Sequence, residues 1–361
     1  MPVDLKCLDC KKILTWPDIH ELNVVCQCGK TYPVRLGIPD FRIADDPYCG
    51  NEKDSRIADD LANQFHQKSF LELLQYYYQM HCPELNPESV ERQMHHILNH
   101  SGFSLNDLSI ENSKNVKFEL NLLDIGCGTG NAMIKAKLLA PEMQVTGLDI
   151  AMRWLILARK RLDEFGFADM KLVCGNAEQT PFDDGQFQWI HGGDMIEHVE
   201  GQSEVFQEAG RLLSDGGKAV FLTPNRTSLT REPHVGLYFA GWLPNKFSVI
   251  YCMIFNAPPW QGIFTHTVWG WQIILSHALR LQSGLFATVK AARVGNGKAN
   301  PGHFIRTYDT CIESSWIIRN LALIFGPVLE VSLEKRLHGT GGPASPFSQT
   351  PGLDQTHRPG Q

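Results

Sequence analysis

From about residue 117 the chain alternates short apolar runs with longer amphipathic ones, the pattern of parallel strands joined by helices. The apolar runs fall at residues 120–125, 144–149, 170–174, 188–192 and 218–223, the last after a turn at Asp215-Gly216-Gly217. Two more runs, 286–292 and 328–334, predict a terminal antiparallel hairpin. Between the strands, residues 151–165 and 203–213 place apolar side chains at helical spacing. Upstream, residues 44–112 are polar with helical periodicity, clearest at 69–80 and 88–99. Residues 1–43 hold two close cysteine pairs and a short strand-like tail, whereas 336–361 are rich in Gly, Pro, Ser and Thr, a composition that predicts disorder. The chain therefore divides into 1–43, 44–112, 113–335 and 336–361.

Composition narrows the class. The 361 residues are 43% hydrophobic and 20% charged, as in a soluble globular enzyme. A net charge of −6 supplies no global attraction to nucleic acid or anionic lipid. The longest apolar stretches, 247–260 and 316–333, are too short or too interrupted (Arg319, Asn320, Glu330) for the roughly 18–20 residues that span a bilayer. Only four of the ten cysteines cluster, which argues against a secreted disulfide framework and for a reducing, cytoplasmic setting.

The chemistry starts at Asp124-Ile125-Gly126-Cys127-Gly128-Thr129-Gly130, directly after an apolar strand and before a helix. Three alternating glycines permit a tight turn and close ligand approach, and the helix start offers free N–H groups to an anion. Asp149 ends the next strand, followed by Ile150, where a carboxylate can accept from both ribose hydroxyls or serve as a helix N-terminal acid. Cys174-Gly175-Asn176-Ala177 opens a polar turn suited to framing an adenine ring.

These motifs resemble the class I S-adenosylmethionine-dependent methyltransferases, especially the ubiquinone-biosynthesis-like branch. The likeness runs closely over about 118–225, including Thr180-Pro181-Phe182-Asp183-Asp184-Gly185-Gln186-Phe187 and Met195-Ile196-Glu197-His198-Val199. It implies a Rossmann-like α/β fold with a seven-stranded sheet and helices on both faces. It also implies S-adenosylmethionine held by Asp124, Gly126, Cys127, Gly128, Gly130, Asp149, Ile150, Asn176 and Ala177. Relatives usually carry Asp where this chain has Asn176, whose amide oxygen can still accept from the adenine amino group. A dehydrogenase uses a similar loop, but with G-x-G-x-x-G spacing rather than G-x-G-x-G.

His198, beside Glu197 just past the fourth strand, is the candidate general base, with shaping of the cofactor pocket as its structural alternative. Asp194-Met195-Ile196-Glu197-His198 is also similar to the E-x-x-E-H arrangement of metal-assisted O-methyltransferases, which implies Mg²⁺ or a similar ion at Asp194, Glu197 and His198. The further histidines of that pattern are not evident in the spacing. His234 and His266 reach toward the acceptor only from the insert, where a structural role is the commoner one.

At the N-terminus, Cys7-x₂-Cys10 and Cys26-x-Cys28 suggest a tetrahedral Zn²⁺ site. Residues 28–41 resemble the tail of a short zinc ribbon often fused ahead of class I methyltransferases, although the second pair is one residue shorter than usual. The same fusion makes an RNA or protein acceptor the rival reading. The ribbon's basic residues are offset by acids, and this argues against nucleic acid as partner. An insert at about 225–285 is dense in aromatics, as suits cover over a small-molecule or lipid-linked acceptor, helical core, or a shallow membrane contact around 241–247. The leading expectation is methyl transfer to such an acceptor, on oxygen; a non-catalytic cofactor-binding scaffold is the third reading.

Overall fold

The computed structural model describes residues 3–99, 120–280, 282–294 and 303–336. The predicted tail beyond 336 and the end of the 44–112 segment lie outside these residues. Five short strands come first. β1 (Leu5–Lys6) pairs with β2 (Ile13–Leu14), while β3 (Asn23–Val25), β4 (Thr31–Arg35) and β5 (Ile38–Pro39) make a second small sheet. Three helices follow: α1 (Gly50–Gln64), α2 (Phe70–His81) and α3 (Pro87–Asn99). Helix α2 starts on a capping box in which Ser69 and Glu72 satisfy each other's backbone N–H groups.

The main sheet contains β6 (Asn121–Ile125), β7 (Gln144–Asp149), β8 (Lys171–Cys174), β9 (Phe187–Gly193), β10 (Leu213–Pro224), β11 (Leu285–Ala291) and β12 (Val328–Lys335). Its order is β11-β12-β10-β9-β6-β7-β8, parallel except that β12 runs antiparallel to both neighbours. This is a Rossmann-like α/β sheet. Every residue of β6 is buried, as expected for a parallel strand covered on both faces. Leu122 joins the apolar layer beneath α1, α2, α4 (Asn131–Leu139) and α5 (Met152–Glu164). Leu123 and Ile125 join the opposite layer, with α6 (Gln202–Leu212) and α8 (Val268–Leu279). Polypeptide order reverses beside β6, so the strand ends of β6, β7 and β9 open on one crevice.

Two expectations about connectivity need correction. Strands β11 and β12 do pair antiparallel from Leu285↔Lys335 to Ala291↔Leu329, but they are not a hairpin. Helices α9 (His303–Ser314) and α10 (Trp316–Phe325) intervene. Strand β10 begins at Leu213 rather than 218, passing through the Asp215–Gly217 turn with a register break before Lys218.

The N-terminal module is welded to the sheet. Asp40 bridges Cys174 in parallel and the Phe41 N–H donates to the Cys174 carbonyl at 2.7 Å, extending the sheet past β8. Leu5 bridges Phe182, and Lys6 pairs with Asp183 at 2.6 Å. Val3, Leu5, Leu14, Val24 and Phe41 belong to the same apolar cluster as Phe182, Phe187 and Phe206.

A buried ionic network ties α1 to the sheet. Asp54 is fully buried and accepts from Arg42 at 2.7 Å, from the Arg153 guanidinium at 2.6 Å, and from the backbone N–H groups of Met152 and Arg153. Asp46 pairs with the same Arg153. One carboxylate from α1 thus caps the helix that follows Asp149.

The insert after β10 holds α7 (Asn245–Ile254) and α8. Val235, Ala240, Cys252, Trp260 and Ile263 form a small core of its own, and Trp271 is buried in the main core. The aromatic run is therefore only partly core, since Tyr238, Phe239, Trp242, Phe247, Phe255 and Trp269 are exposed. No helix among the described residues is long and apolar enough to cross a membrane.

Candidate functional site

The glycine loop lines a cleft of about 220 Å³ at the carboxyl ends of β6 and β9. Asp124, Gly126, Cys127 and Gly128 face it, together with Trp154 and Asp194. Gly126 has a φ of +71°, and a Cβ there would sit 2.6 Å from the Met195 Cβ, so only glycine lets the loop close against the segment after β9. Gly130, at φ +77°, turns the chain into α4. Asp124 is held by His191 at 2.7 Å inside the sheet.

Asp149 serves as the helix N-terminal acid and also holds the glycine loop. One oxygen accepts from the Ala151 N–H at 2.8 Å as a helix N-terminal acid, and the other accepts from Gly128 at 2.9 Å, pinning the glycine loop. Burial pushes its carboxyl up to about 6, against the pull of those two N–H groups. The Ile150 carbonyl receives the Arg42 guanidinium at 3.4 Å.

Asn176 departs from expectation. Its amide oxygen accepts from Ile43 at 2.9 Å and Ala44 at 3.2 Å, so the tail of the cysteine module lies across the turn expected to frame an adenine. Asn176 and its buried neighbour Ala177 do not line the cleft; the residues that do, and that sequence reasoning missed, include His96 and Ile97 of α3, Trp154 and His191. Long-range closure by α3 has no local sequence signal.

Met195 leads from the glycine loop into a turn, Ile196–His198, that carries a second set of polar groups. Glu197 is fully buried, and neither of its oxygens has a well-formed hydrogen bond, the Thr223 hydroxyl giving only a weak contact. Burial and then the charge of Asp194 push Glu197 up to about 8. His198 Nε2 lies 3.1 Å from His234 Nε2, and His234 Nε2 lies 3.9 Å from Glu197 Oε1. Tyr48 stands over His198 with ring centroids 5.7 Å apart.

The outer nitrogens decide what this cluster wants. His198 Nδ1 faces the Gly262 carbonyl at 3.3 Å, and His234 Nδ1 faces the Glu232 carboxylate at 2.6 Å. Both partners only accept, which assigns the proton of each neutral ring to Nδ1. Each Nε2 is then left with a lone pair aimed at the other, beside a carboxyl group that burial inclines to keep its proton. Two nitrogen acceptors and a carboxyl converging in a buried place call for a cation or a shared proton. Burial lowers His198, helped by His234; for His234, burial is outweighed by the bond and charge of Glu232, which raise it.

The expected metal trio is thereby revised. Glu197 and His198 are brought together with His234, all three ligand atoms lying within 4.8 Å, whereas Asp194 faces the cleft. The reason is local: Asp194, at φ +50°, follows the last residue of β9, ahead of the turn that swings Glu197 and His198 away. His234 was visible in sequence as a histidine of the insert, but its distance of thirty-six residues from His198 gave no motif. His266 is structural, bonded to Gln202, whose amide ties the Ile196 and Phe264 carbonyls.

The four clustered thiols meet as the spacing implied, all within 4.8 Å of one another. The 3.7 Å between the Cys7 and Cys28 sulfurs and 3.4 Å between those of Cys10 and Cys26 are close to the roughly 3.8 Å that four 2.3 Å Zn–S bonds impose. The shortened Cys26-x-Cys28 pair does not prevent convergence.

Residues 123–221 match the family model described as a methyltransferase domain. Demethylmenaquinone methyltransferase of Listeria welshimeri is 30% identical over 110 residues, covering 30% of this chain and 47% of that protein. The Geobacillus kaustophilus protein of the same name is 32% identical over 116 residues, covering 32% and 50%. The chain spans about half the length of these curated relatives. Among solved structures, phosphoethanolamine N-methyltransferase 2 of Haemonchus contortus with S-adenosyl-L-methionine is similar at 16% identity and a TM-score of 0.43, over 67% of this chain and 55% of that one.

Proposed function

We propose that the chain is an S-adenosylmethionine-dependent methyltransferase that methylates an oxygen of a small-molecule or lipid-linked acceptor. The observation that carries the reading is the junction of two half-sites through Met195. A cleft lined by the glycine loop, which Asp149 pins at Gly128, lies on one side, and a buried Glu197–His198–His234 cluster lies on the other. The N–H groups at the start of α4 suit the carboxylate of a methionyl group. Asp149 keeps lone pairs on both oxygens beyond its bonds to Gly128 and Ala151, enough to accept from two ribose hydroxyls.

On the acceptor side, Glu232 fixes the His234 ring and Gly262 fixes that of His198, so both Nε2 atoms face the pocket, and His198, held below its ordinary value, presents an unprotonated nitrogen to an incoming hydroxyl. The donor set fits a divalent ion at Glu197, His198 and His234. Two imidazoles and one carboxylate suit Mn²⁺, Fe²⁺, Co²⁺ or Zn²⁺ better than the Mg²⁺ expected from sequence. Such an ion lowers the pKa of a bound hydroxyl. Tyr48, edge-on to His198 and pushed up to about 12 by desolvation and then the charge of Glu197, keeps its proton and can donate to the acceptor. In the N-terminal module, Cys7, Cys10, Cys26 and Cys28 are assigned a structural Zn²⁺.

The Asp149 carboxyl gives the cofactor a pH dependence. It must be ionised to accept from the ribose, and its value lies at about 6. Affinity for S-adenosylhomocysteine is therefore full above neutral pH and falls as pH drops through about 6. Calorimetric titration across pH checks this, and Asp149→Asn should bind more weakly with a flat profile; an unchanged slope in that variant would assign the titration elsewhere.

The test of the function is transfer of labelled methyl from S-adenosylmethionine into a lysate separated into small-molecule, lipid, RNA and protein fractions. Label is expected in the first or second. Label confined to RNA or protein would overturn the acceptor reading.

A further inference from the structure

Helix α7 is inside out. Its buried positions are Ser248 and Cys252, while Phe247, Val249, Ile250, Met253 and Ile254 are exposed, Met253 at 75% and Ile254 at 71%. A surface helix of a soluble protein turns its apolar stripe to the core; this one turns it outward. The exposed face continues beyond the helix. Ser248 bonds the Ala240 carbonyl, joining α7 to the turn that carries Trp242, and Phe239 packs edge-on against Trp242. Trp242 stacks on Phe325 of α10, whose outer face exposes Trp316, Ile317 and Leu321. Elements from two separate stretches of the chain thus form one apolar surface, wider than the isolated apolar side chains that soluble proteins tolerate.

Charge says what covers it. The chain has 39 acidic residues, yet none occurs between Glu232 and Asp309, and the charged residues in that interval are all Lys or Arg. Within α7 the charged residue is Lys246, and within α10 it is Arg319. A protein partner would leave such a bias unexplained, whereas the apolar side chains and Trp242 around α7, with basic residues and no carboxylates in their stretch, complement an anionic lipid surface. At α10, exposed Glu313 precedes the helix and pairs with Arg293. The surface also adjoins the site. Arg231 bridges Tyr238 to close the loop that delivers His234, and Tyr238 and Phe239 emerge exposed at its end.

We propose that the α7–α10 face docks on the surface of a bilayer containing anionic lipid, without spanning it, and so opens the acceptor site toward the membrane. This goes beyond the methyl-transfer reading, and docking requires neither cofactor nor acceptor.

The test is flotation of the full chain with phosphatidylcholine vesicles, with and without phosphatidylglycerol. Binding is expected to the anionic vesicles, weaker as salt rises, and reduced at least about tenfold in Met253→Glu/Ile254→Glu. Both substituted positions are exposed, and S-adenosylhomocysteine binding by the same sample reports that the variant is folded. Lys246→Glu should lose the preference for anionic over neutral vesicles. Equal flotation by wild type and the double variant, or no binding to anionic vesicles at low salt by chain that binds S-adenosylhomocysteine, would overturn the proposal. So would a wild-type dimer that the double variant converts to monomer without any vesicle binding, since a second copy would then be the cover.

Discussion

Glu197→Gln is expected to lose methyl transfer by about 10²- to 10⁴-fold while binding S-adenosylmethionine with unchanged affinity. The side chain keeps its size, so the buried pocket stays filled, but the anionic ligand beside the two imidazoles is gone. His234→Ala should fall by a similar factor, because it removes both an imidazole and the partner of Glu232. The double variant should be little worse than either single one, as groups that act as a unit are not additive. Metal content supplies a readout independent of turnover: each variant should hold one divalent ion fewer than wild type, while any ion on Cys7, Cys10, Cys26 and Cys28 is unaffected. Wild-type rates and metal content in either variant would leave the cluster a structural feature.

Asp54→Ala should destabilise the protein by about 3–5 kcal/mol in denaturant unfolding. The substitution leaves Arg42 and Arg153, both nearly buried, short of a counter-charge and strips the N–H groups of Met152 and Arg153 of their acceptor. Asp59→Ala is the control. That residue also sits on α1 and pairs with Arg35, but it is more than half exposed, so its loss should cost far less. Because Asp54 secures the start of α5 two residues after Ile150, cofactor affinity should weaken along with stability. Equal midpoints for the two variants would show that the network adds little.

Why some of this was readable in the sequence and some was not follows from the range of the interactions. Strands β6, β7, β8 and β9 were located within a residue or two, because both-face burial writes itself as an apolar run. The glycine loop, Asp149 and Glu197-His198 were legible because each depends on a few neighbouring residues at a strand end. His234 was not assigned, since what places it opposite His198 is the fold of the insert and the bonds of Glu232 to its own loop. Asn176 misled for the same kind of reason: the residues that occupy its amide oxygen come from Ile43 and Ala44, more than a hundred positions earlier. The exposed face of α7 was hidden too, because periodicity reports that a helix has an apolar side and not which way that side points.

The cysteine module illustrates the middle case. Its ligand spacing was local and readable. That its tail would add to the sheet edge at Cys174 and lie over the Asn176 turn was not, and it makes the module part of the same packed body as the main sheet.

Titrating S-adenosylmethionine into the intact chain by calorimetry tests the central claim most directly. Saturable binding is expected at one site per chain, weakened at least about 100-fold by Asp149→Ala through the loss of the two charge-assisted hydrogen bonds proposed to the ribose. Absence of binding at millimolar cofactor, or equal binding by the Asp149→Ala variant, would contradict it.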